Sequence, residues 1–364
     1  MTITHPPAVP AATAIPLPLD APDHERVLVS RGRRSGLTII VAVHSTALGQ
    51  ALGGARLWTY DHWTDALADA LRLSQAMTLK NAAAGLARGG GKAVVHLPPG
   101  TEPDDALRRA AMLDLGDAVE ALGGSYMTAE DVGTSAELMA VVAERTAHVC
   151  GLPPEQGGSG EPADATAAGV HAGLLATLEH VTGSRDVAGR HLVIAGLGQV
   201  GGRLARRLAA EGARLTVTDV ADARRELADE LGADWVDPSA AHLVEADVFL
   251  PCGLGGVLTA EVVGDLSVRA VVGAANNQLA ERAVADLLRD RGIAWAPDFV
   301  VNAGGVVHLD LAATPGAGAD ERDDRIAGIG GTIARVLAEA DASGETTLAA
   351  AERLAQERLR VAAR

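Results

Sequence analysis

The sequence predicts an α/β protein of two domains, an N-terminal mixed-sheet α/β domain followed by one built on a parallel sheet. Three observations carry this. The chain has 364 residues, 48% of them hydrophobic, enough for two cores of ordinary size. In the second half, short apolar runs alternate with amphipathic stretches, the pattern of parallel strands joined by helices. Between the halves lies GLPPEQGGSGEPAD (151–164), a segment of linker composition. The expected division is 1–160, 161–330 and a C-terminal helical part, 331–364, packing back towards the first domain.

The elements follow in order. RVLVS (26–30) and GLTIIVAVHS (36–45) read as strands around the turn RGRRSG. ALGGARLW (51–58) carries paired glycines that let a ligand approach the backbone. Thr64 is a plausible N-cap for a helix through DALADALRLSQAMTLKNAAA, and Gly85 a natural stop. GLARGGG then reads as a loop, and KAVVHLP as the start of a strand. DALRRAAMLDLGDAVEAL (105–122) reads as a helix, and GGSYMTAEDVGTS as a strand end and loop. ATAAGVHAGLLATLEHV (165–181) is the next helix. HLVIAG, LTVTD, DVFLPC and AVVGAA are the strands of the parallel sheet, and two helices from about Asp324 close the chain.

Composition excludes several classes. A net charge of −16 argues against nucleic acid or an anionic membrane surface as partner. No run approaches the length of a membrane span. The Pro/Ala-rich segment 1–22 lacks a basic region and an unbroken apolar core, so it reads as a disordered tail rather than a signal peptide. Cys150 and Cys252 are too few for a disulfide framework or a zinc site, which fits a reducing, cytoplasmic compartment. No metal site is expected, because the histidines lack ligand spacing.

Scarcity is informative here. Lys80 and Lys92 are the only lysines among 31 basic residues, the rest being arginine. The only asparagines are Asn81, Asn276, Asn277 and Asn302. Arginine stays charged, whereas a buried lysine can lose its proton near neutral pH. A retained lysine is therefore a candidate for a task arginine cannot perform.

HLVIAGLGQVGGRLARRLAAEGARLTVTD contains G-x-G-x-x-G as Gly196, Gly198 and Gly201, with Leu197, Gln199 and Val200 between them. It follows an apolar strand, opens a helix and precedes a second strand ending in Asp219, the context of a Rossmann-type dinucleotide site. Gly196 makes the tight turn, Gly198 admits the pyrophosphate and Gly201 lets helix and strand pack closely. Asp219 favours NAD by repelling a 2′-phosphate, while Arg224 and Arg225 keep NADP open. GGGK is not a P-loop, since Leu86 and Ala93 stand where that motif needs glycine and a hydroxyl.

A nicotinamide domain implies hydride transfer. Two lysines with the acidic pair Glu130-Asp131 suggest a zwitterionic substrate, one lysine holding a carboxylate and the other acting as general base. With those residues in view, the chain resembles the glutamate/leucine/phenylalanine/valine dehydrogenase family, in its branch acting on apolar amino acids. The resemblance runs through VAVHSTALGQALGGARLWTY, MTLKNAAAGLARGGGKAVV, TAEDVGTS, GGSGEPADATAAGV, GAANNQL and APDFVVNAGGVV, over roughly residues 24–310.

The resemblance implies an active site in the cleft between the domains. Lys92 would be the catalytic lysine and Asp131 would hold and relay protons for the amino group. Lys80 would bind the substrate carboxylate, Gly53 would add a backbone contact, and Leu52 would line the side-chain pocket. Asn276 and Asn277 would sit by the nicotinamide end and the substrate carboxylate. Asn302 would orient the nicotinamide, and Thr166 would lie near its carboxamide. The implied reaction is NAD-dependent, reversible oxidative deamination of an apolar L-amino acid, branched-chain in preference, to the 2-oxo acid and ammonia. An aromatic amino-acid dehydrogenase and a non-catalytic NAD-binding regulator are the alternatives. The first domain would carry substrate binding and homo-oligomer contacts. The segment AATPGAGADERDD departs from the family pattern.

Overall fold

The computed structural model describes residues 23–156, 158, 161–314 and 316–362. The expectation for segment 1–22 lies outside them. The chain divides into two compact units, one of residues 1–46, 51–77 and 90–149, the other of 47–50, 78–89 and 150–364. Residues 47–50 and 78–89, read from sequence with the first domain, thus group with the second unit, as do the C-terminal helices.

The first unit holds β1 (Arg26–Arg31), β2 (Thr38–Ser45), β3 (Ala51–Thr59), most of α1 (Trp63–Ala83), β4 (Gly89–Leu97), α2 (Asp105–Glu120), β5 (Tyr126–Glu130) and α3 (Ala136–Ala143). Among the described residues its sheet has five strands in the order β1-β2-β4-β3-β5. β1–β2 and β2–β4 pair antiparallel and β3–β5 pair parallel, so the sheet is mixed. β2 carries an unbroken apolar run, 39–43, because that stretch is buried, and β4 is buried throughout although it includes Lys92 and His96. Ala66 and Ala70 of α1 pack on Ile40, Ala42 and Val94. Fully burying an aliphatic side chain such as Ile40 or Val94 is worth roughly 1.5–3 kcal/mol. Elsewhere α2 packs on β2 and β5. Asp104 caps α2 by accepting the Leu107 N–H at 2.8 Å.

Two sequence expectations are corrected here. GLARGGG is not all loop: β4 begins at Gly89, and Gly90 and Gly91 are strand residues. A side chain at Gly91 would meet the Tyr126 ring at 2.5 Å, so glycine serves packing there. α1 begins at Trp63, ahead of the expected cap Thr64, with the His62 N–H bonded to Asp65.

The second unit holds α4 (Ala163–Thr182), β6 (His191–Ala195), α5 (Gln199–Ala210), β7 (Arg214–Thr218), α6 (Arg225–Leu231), β8 (Asp234–Trp235), β9 (Val248–Pro251), α7 (Ala260–Asp265), β10 (Ala270–Val271), α8 (Val284–Asp290), β11 (Ala294–Trp295), α9 (Asp298–Val301), α10 (Gly304–Ala312), α11 (Ala319–Ser343) and α12 (Thr347–Ala362). Its six described strands run β11-β10-β9-β6-β7-β8, all parallel. This is the doubly wound order of a Rossmann sheet. β8 and β11 have two residues each, too short to leave a periodic signal in the sequence. α4 packs against α5, α10 and α11.

The short segments join this unit through specific bonds. Arg88 donates to Asp310 of α10 at 2.6 Å and to Gln50 at 2.8 Å. Arg358 of α12 donates to the carbonyls of Ala82 and Ala83, each at 2.6 Å. These carbonyls lie in the last turn of α1, where few N–H partners follow; Ala82 also accepts the Gly85 N–H at 3.0 Å.

Candidate active site

In the first unit, Lys92 sits mid-strand on β4 and is only 6% exposed. Its Nζ lies 2.5 Å from Asp131 Oδ2. Asp131 follows β5 in a turn that TAEDVGTS builds. Thr134 Oγ1 accepts the Asp131 N–H at 2.8 Å and donates to the Ala55 carbonyl at 2.9 Å. Gly133 has φ of 80°, and a Cβ there would stand 2.0 Å from the Leu57 carbonyl, so only glycine closes the turn. A second cation, Arg56 of β3, donates to Asp131 Oδ2 at 3.3 Å. Burial disfavours the Asp131 charge, but Lys92 and Arg56 outweigh it and hold the carboxyl well below the usual carboxylate range.

The paired glycines of β3 have close neighbours. A Cβ at Gly53 would fall 1.8 Å from the Gly91 carbonyl, and one at Gly54 would fall 2.8 Å from the Asp131 Cβ. The Gly53 carbonyl accepts the Tyr126 hydroxyl at 2.7 Å. Leu52, 1% exposed, lies opposite Met127 in the β3–β5 register.

In the second unit, Lys80 stands in the last turn of α1. The two lysines, twelve positions apart in sequence, thus belong to different units. The carboxyl of Asp298 is buried in the same unit, and its Oδ2 accepts the Asn277 N–H at 2.7 Å. Burial pushes the Asp298 carboxyl up, with that hydrogen bond and the Lys80 charge acting the other way. Asn277 has φ of 50°, a left-handed conformation that asparagine tolerates. Asn302 Nδ2 donates to Asn276 Oδ1 at 2.9 Å and to the Ala274 carbonyl at 3.2 Å. Three of the four asparagines therefore gather around Asp298 and the loop that follows β10. Asn302 is 4% exposed, and its Oδ1 is buried without a partner. Such an acceptor is costly unless a ligand supplies the donor. The Thr166 hydroxyl donates to the Pro162 carbonyl at 3.0 Å, and a Cβ on Gly305 would approach it to 2.6 Å.

The glycine turn has a distinct geometry at each position. Gly196 has φ of 108° and bonds the Thr218 carbonyl at 2.8 Å. Gly198 caps α5 with open space where a Cβ would be. A Cβ at Gly201 would stand 1.9 Å from the Gly196 carbonyl. Leu197 is wholly buried and Val200 packs on the same core, so any contact they offer a ligand is through backbone. Gln199 is exposed and accepts from Arg203 at 2.6 Å. Asp219 accepts the Leu197 N–H at 2.7 Å and the Ala221 N–H at 2.9 Å, leaving each oxygen a further lone pair. Arg225 stacks on Trp235 at 4.8 Å and pairs with Asp222 at 3.3 Å. The residues present fit a dinucleotide: an open glycine cap, an acidic residue after the second strand and an orphaned buried acceptor.

Sequence reasoning missed Arg56, which bonds Asp131, and Tyr60 and Asp69, which connect to it through Arg56. A signal existed. The chain has only two tyrosines, and both hydroxyls are bonded here, Tyr60 to Asp69 at 2.7 Å and Tyr126 to Gly53. Among the described residues, no group of His, Cys, Asp and Glu could hold a metal ion, and no helix is long and apolar enough to cross a membrane.

A mixed-sheet unit with a buried lysine paired to a carboxylate, joined to a doubly wound unit with a glycine-capped helix, defines a two-domain dehydrogenase. The comparisons narrow this class. Residues 24–148 match the model of the Glu/Leu/Phe/Val dehydrogenase dimerisation domain, and residues 217–362 match that of Glutamate/Leucine/Phenylalanine/Valine dehydrogenase. A leucine dehydrogenase from Bacillus cereus is 40% identical over 342 residues, covering 94% of this chain and 92% of that one. A valine dehydrogenase from Streptomyces albus is 42% identical over 344 residues, covering 93% of each. The crystal structure of L-tryptophan dehydrogenase from Nostoc punctiforme matches with a TM-score of 0.80 at 32% identity, covering 93% of this chain and 96% of that one. The chain belongs to the Glu/Leu/Phe/Val dehydrogenase family and is an amino-acid dehydrogenase.

Proposed function

We propose that the protein catalyses the NAD-dependent, reversible oxidative deamination of a branched-chain L-amino acid, leucine or valine, to the 2-oxo acid and ammonia. The observation that carries this is the buried Lys92 paired with the half-buried Asp131 at 2.5 Å in a chain of this family. Bound NAD⁺ supplies the hydride acceptor; the chain's own residues do the rest. Lys80 holds the substrate carboxylate as a point charge; to Gly53 and Leu52 of the first unit we assign, from the family resemblance, a backbone contact and the apolar side-chain pocket. Asn276 and Asn277 border the same carboxylate. Once the amino acid has become the imine, Lys92 takes a proton from the water that adds to that carbon, and as an ammonium it stabilises the oxygen anion that follows. Asp131 carries the proton to the departing nitrogen. Asn302 offers its orphaned Oδ1 to the carboxamide N–H of the coenzyme, with Thr166 nearby. Gly196, Gly198 and Gly201 seat the pyrophosphate, and Asp219 takes the ribose hydroxyls.

Two features support the choice of substrate and coenzyme. Both lysines are already assigned, so neither is left for an acidic side chain. The commitment of Arg225 to Trp235 and Asp222 favours NAD over NADP. An aromatic substrate is the second reading, favoured by the fold match to a tryptophan dehydrogenase. NADH formation from a panel of L-amino acids decides between them. Turnover of leucine or valine above phenylalanine and tryptophan supports the first reading, and no turnover of any would leave a coenzyme-binding regulator. The first unit corresponds to a domain described as a dimerisation domain, so we propose a homo-oligomer assembled through it. Light scattering on the purified chain tests this, and a monomer at micromolar concentration would refute it.

A further inference from the structure

Arg56 joins two carboxylates. Its Nε donates to Asp131 Oδ2 at 3.3 Å and its NH1 to Asp69 Oδ2 at 2.8 Å. Asp69, on α1, is held in turn by the Tyr60 hydroxyl at 2.7 Å and by Arg72 at 2.7 Å. Asp131 Oδ2 also carries Lys92 Nζ at 2.5 Å. Two cations of different kind therefore share one carboxylate oxygen. Lysine can give up its proton; arginine cannot. When Lys92 is neutral, Asp131 would be an unpaired, largely buried anion were it not for Arg56, and that situation is costly. The cost would fall on the deprotonation itself.

The charge count of the cluster agrees. Arg56 and Arg72 balance Asp69 and Asp131, so the group is neutral in the form in which Lys92 has lost its proton. We propose that Arg56 is the permanent counter-ion of Asp131, a positioning residue that lets Lys92 release and regain its proton while the carboxylate stays paired. Asp69, pinned by Tyr60 and Arg72, keeps the guanidinium in place. Within the first unit the charged and titratable groups around the pair come from each surrounding element. They are Arg56 of β3, Tyr60 of the following turn, Asp69 and Arg72 of α1, and Asp131, with Glu130 adjoining it at the end of β5. His96 of β4 lies behind Tyr60, its Nε2 3.0 Å from the Tyr60 carbonyl.

The inference rests on Lys92 being the base, and one experiment separates the two. The pH dependence of kcat/KM for leucine and NAD⁺ is measured for the intact protein and for Lys92→Ala, Arg56→Met, Arg56→Lys and Asp69→Asn. Removing a cation beside the pair raises the pH at which the lysine frees its proton. Arg56→Met should move the ascending limb to higher pH by about one unit or more, with activity recovered in alkali. Arg56→Lys, which keeps the charge, should leave the limb near its original place. Asp69→Asn removes an anion and should move the limb the opposite way, to lower pH. A purely structural role would lower activity equally at every pH. A uniform fall in Arg56→Met with an unmoved limb therefore overturns the proposal. Should that variant fail to fold, Asp69→Asn decides, and a limb that does not move down overturns it. Near-normal turnover by Lys92→Ala would instead remove the base assignment beneath it.

Discussion

Replacing Lys92 by arginine isolates proton transfer from folding. Lys92 has a side chain 7% exposed, against 24% for Asp131. Breaking a buried pair outright by removing one partner costs about 3–5 kcal/mol. Arginine keeps the positive charge, and Arg56 remains on the same oxygen at 3.3 Å, so Asp131 is not left alone and the variant should stay folded. What it loses is the ability to shed a proton. Loss of a general base costs about 10²–10⁴ in rate, or roughly 2.7–5.4 kcal/mol of barrier. NADH formation from leucine should fall by that factor, while thermal unfolding and NADH binding, followed by fluorescence, change little. Lys92→Ala should be as inactive and less stable. An arginine variant with near wild-type turnover would refute the reasoning, since Lys92 alone is assigned the proton of the attacking water.

Further expectations concern the nucleotide turn and acid stability. Gly198→Ala places its methyl group in open space; stability should hold within about 0.5 kcal/mol while NAD affinity drops, and unchanged affinity would misplace the pyrophosphate. Gly201→Ala drives a Cβ to 1.9 Å from the Gly196 carbonyl and should destabilise by about 1–3 kcal/mol, read from denaturant midpoints. Asp219→Ala should narrow the preference for NAD over NADP in coenzyme-specific kcat/KM, and an unaltered ratio would clear Asp219 of that role. Asp69, Asp114 and Asp131 all have carboxyls held below their ordinary values, burial being outweighed by Arg56 and Tyr60 at Asp69, by Ser35 and Arg34 at Asp114, and by Lys92 and Arg56 at Asp131. Their stabilisation is complete above the unfolded carboxyl pKa, about 4, and is lost as pH falls through the folded values. Circular dichroism during acid titration should show unfolding below that point, with an earlier onset in Asp114→Asn.

The sequence made the second unit readable because a βαβ turn is local. Within some thirty residues, the strand at His191, the three glycines and Asp219 state their own geometry. Composition marked the lysines and asparagines, since a chain that avoids them shows the places where it keeps them, whereas Leu52, Gly53 and Thr166 stood out only through the family resemblance. Arg56 carries no mark in a chain where arginine is common, and Tyr60, though one of only two tyrosines, has no sequence neighbour that states its partner.

Residue types and local turns were thus written in the chain itself: which lysines could serve as base, which glycines turn left-handed, and where strands and helices alternate. Tertiary structure alone decided who stands beside whom. β3, α1 and the turn after β5 are distant in sequence, and only a formed sheet brings Arg56, Asp69, Asp131 and Lys92 within hydrogen-bonding reach. It also assigned residues 47–50 and 78–89 to the second unit, and Lys80 with them. The physical reason is range: backbone conformation responds to neighbours a few residues away, whereas ion pairs and buried contacts form between whatever surfaces the folded backbone presents.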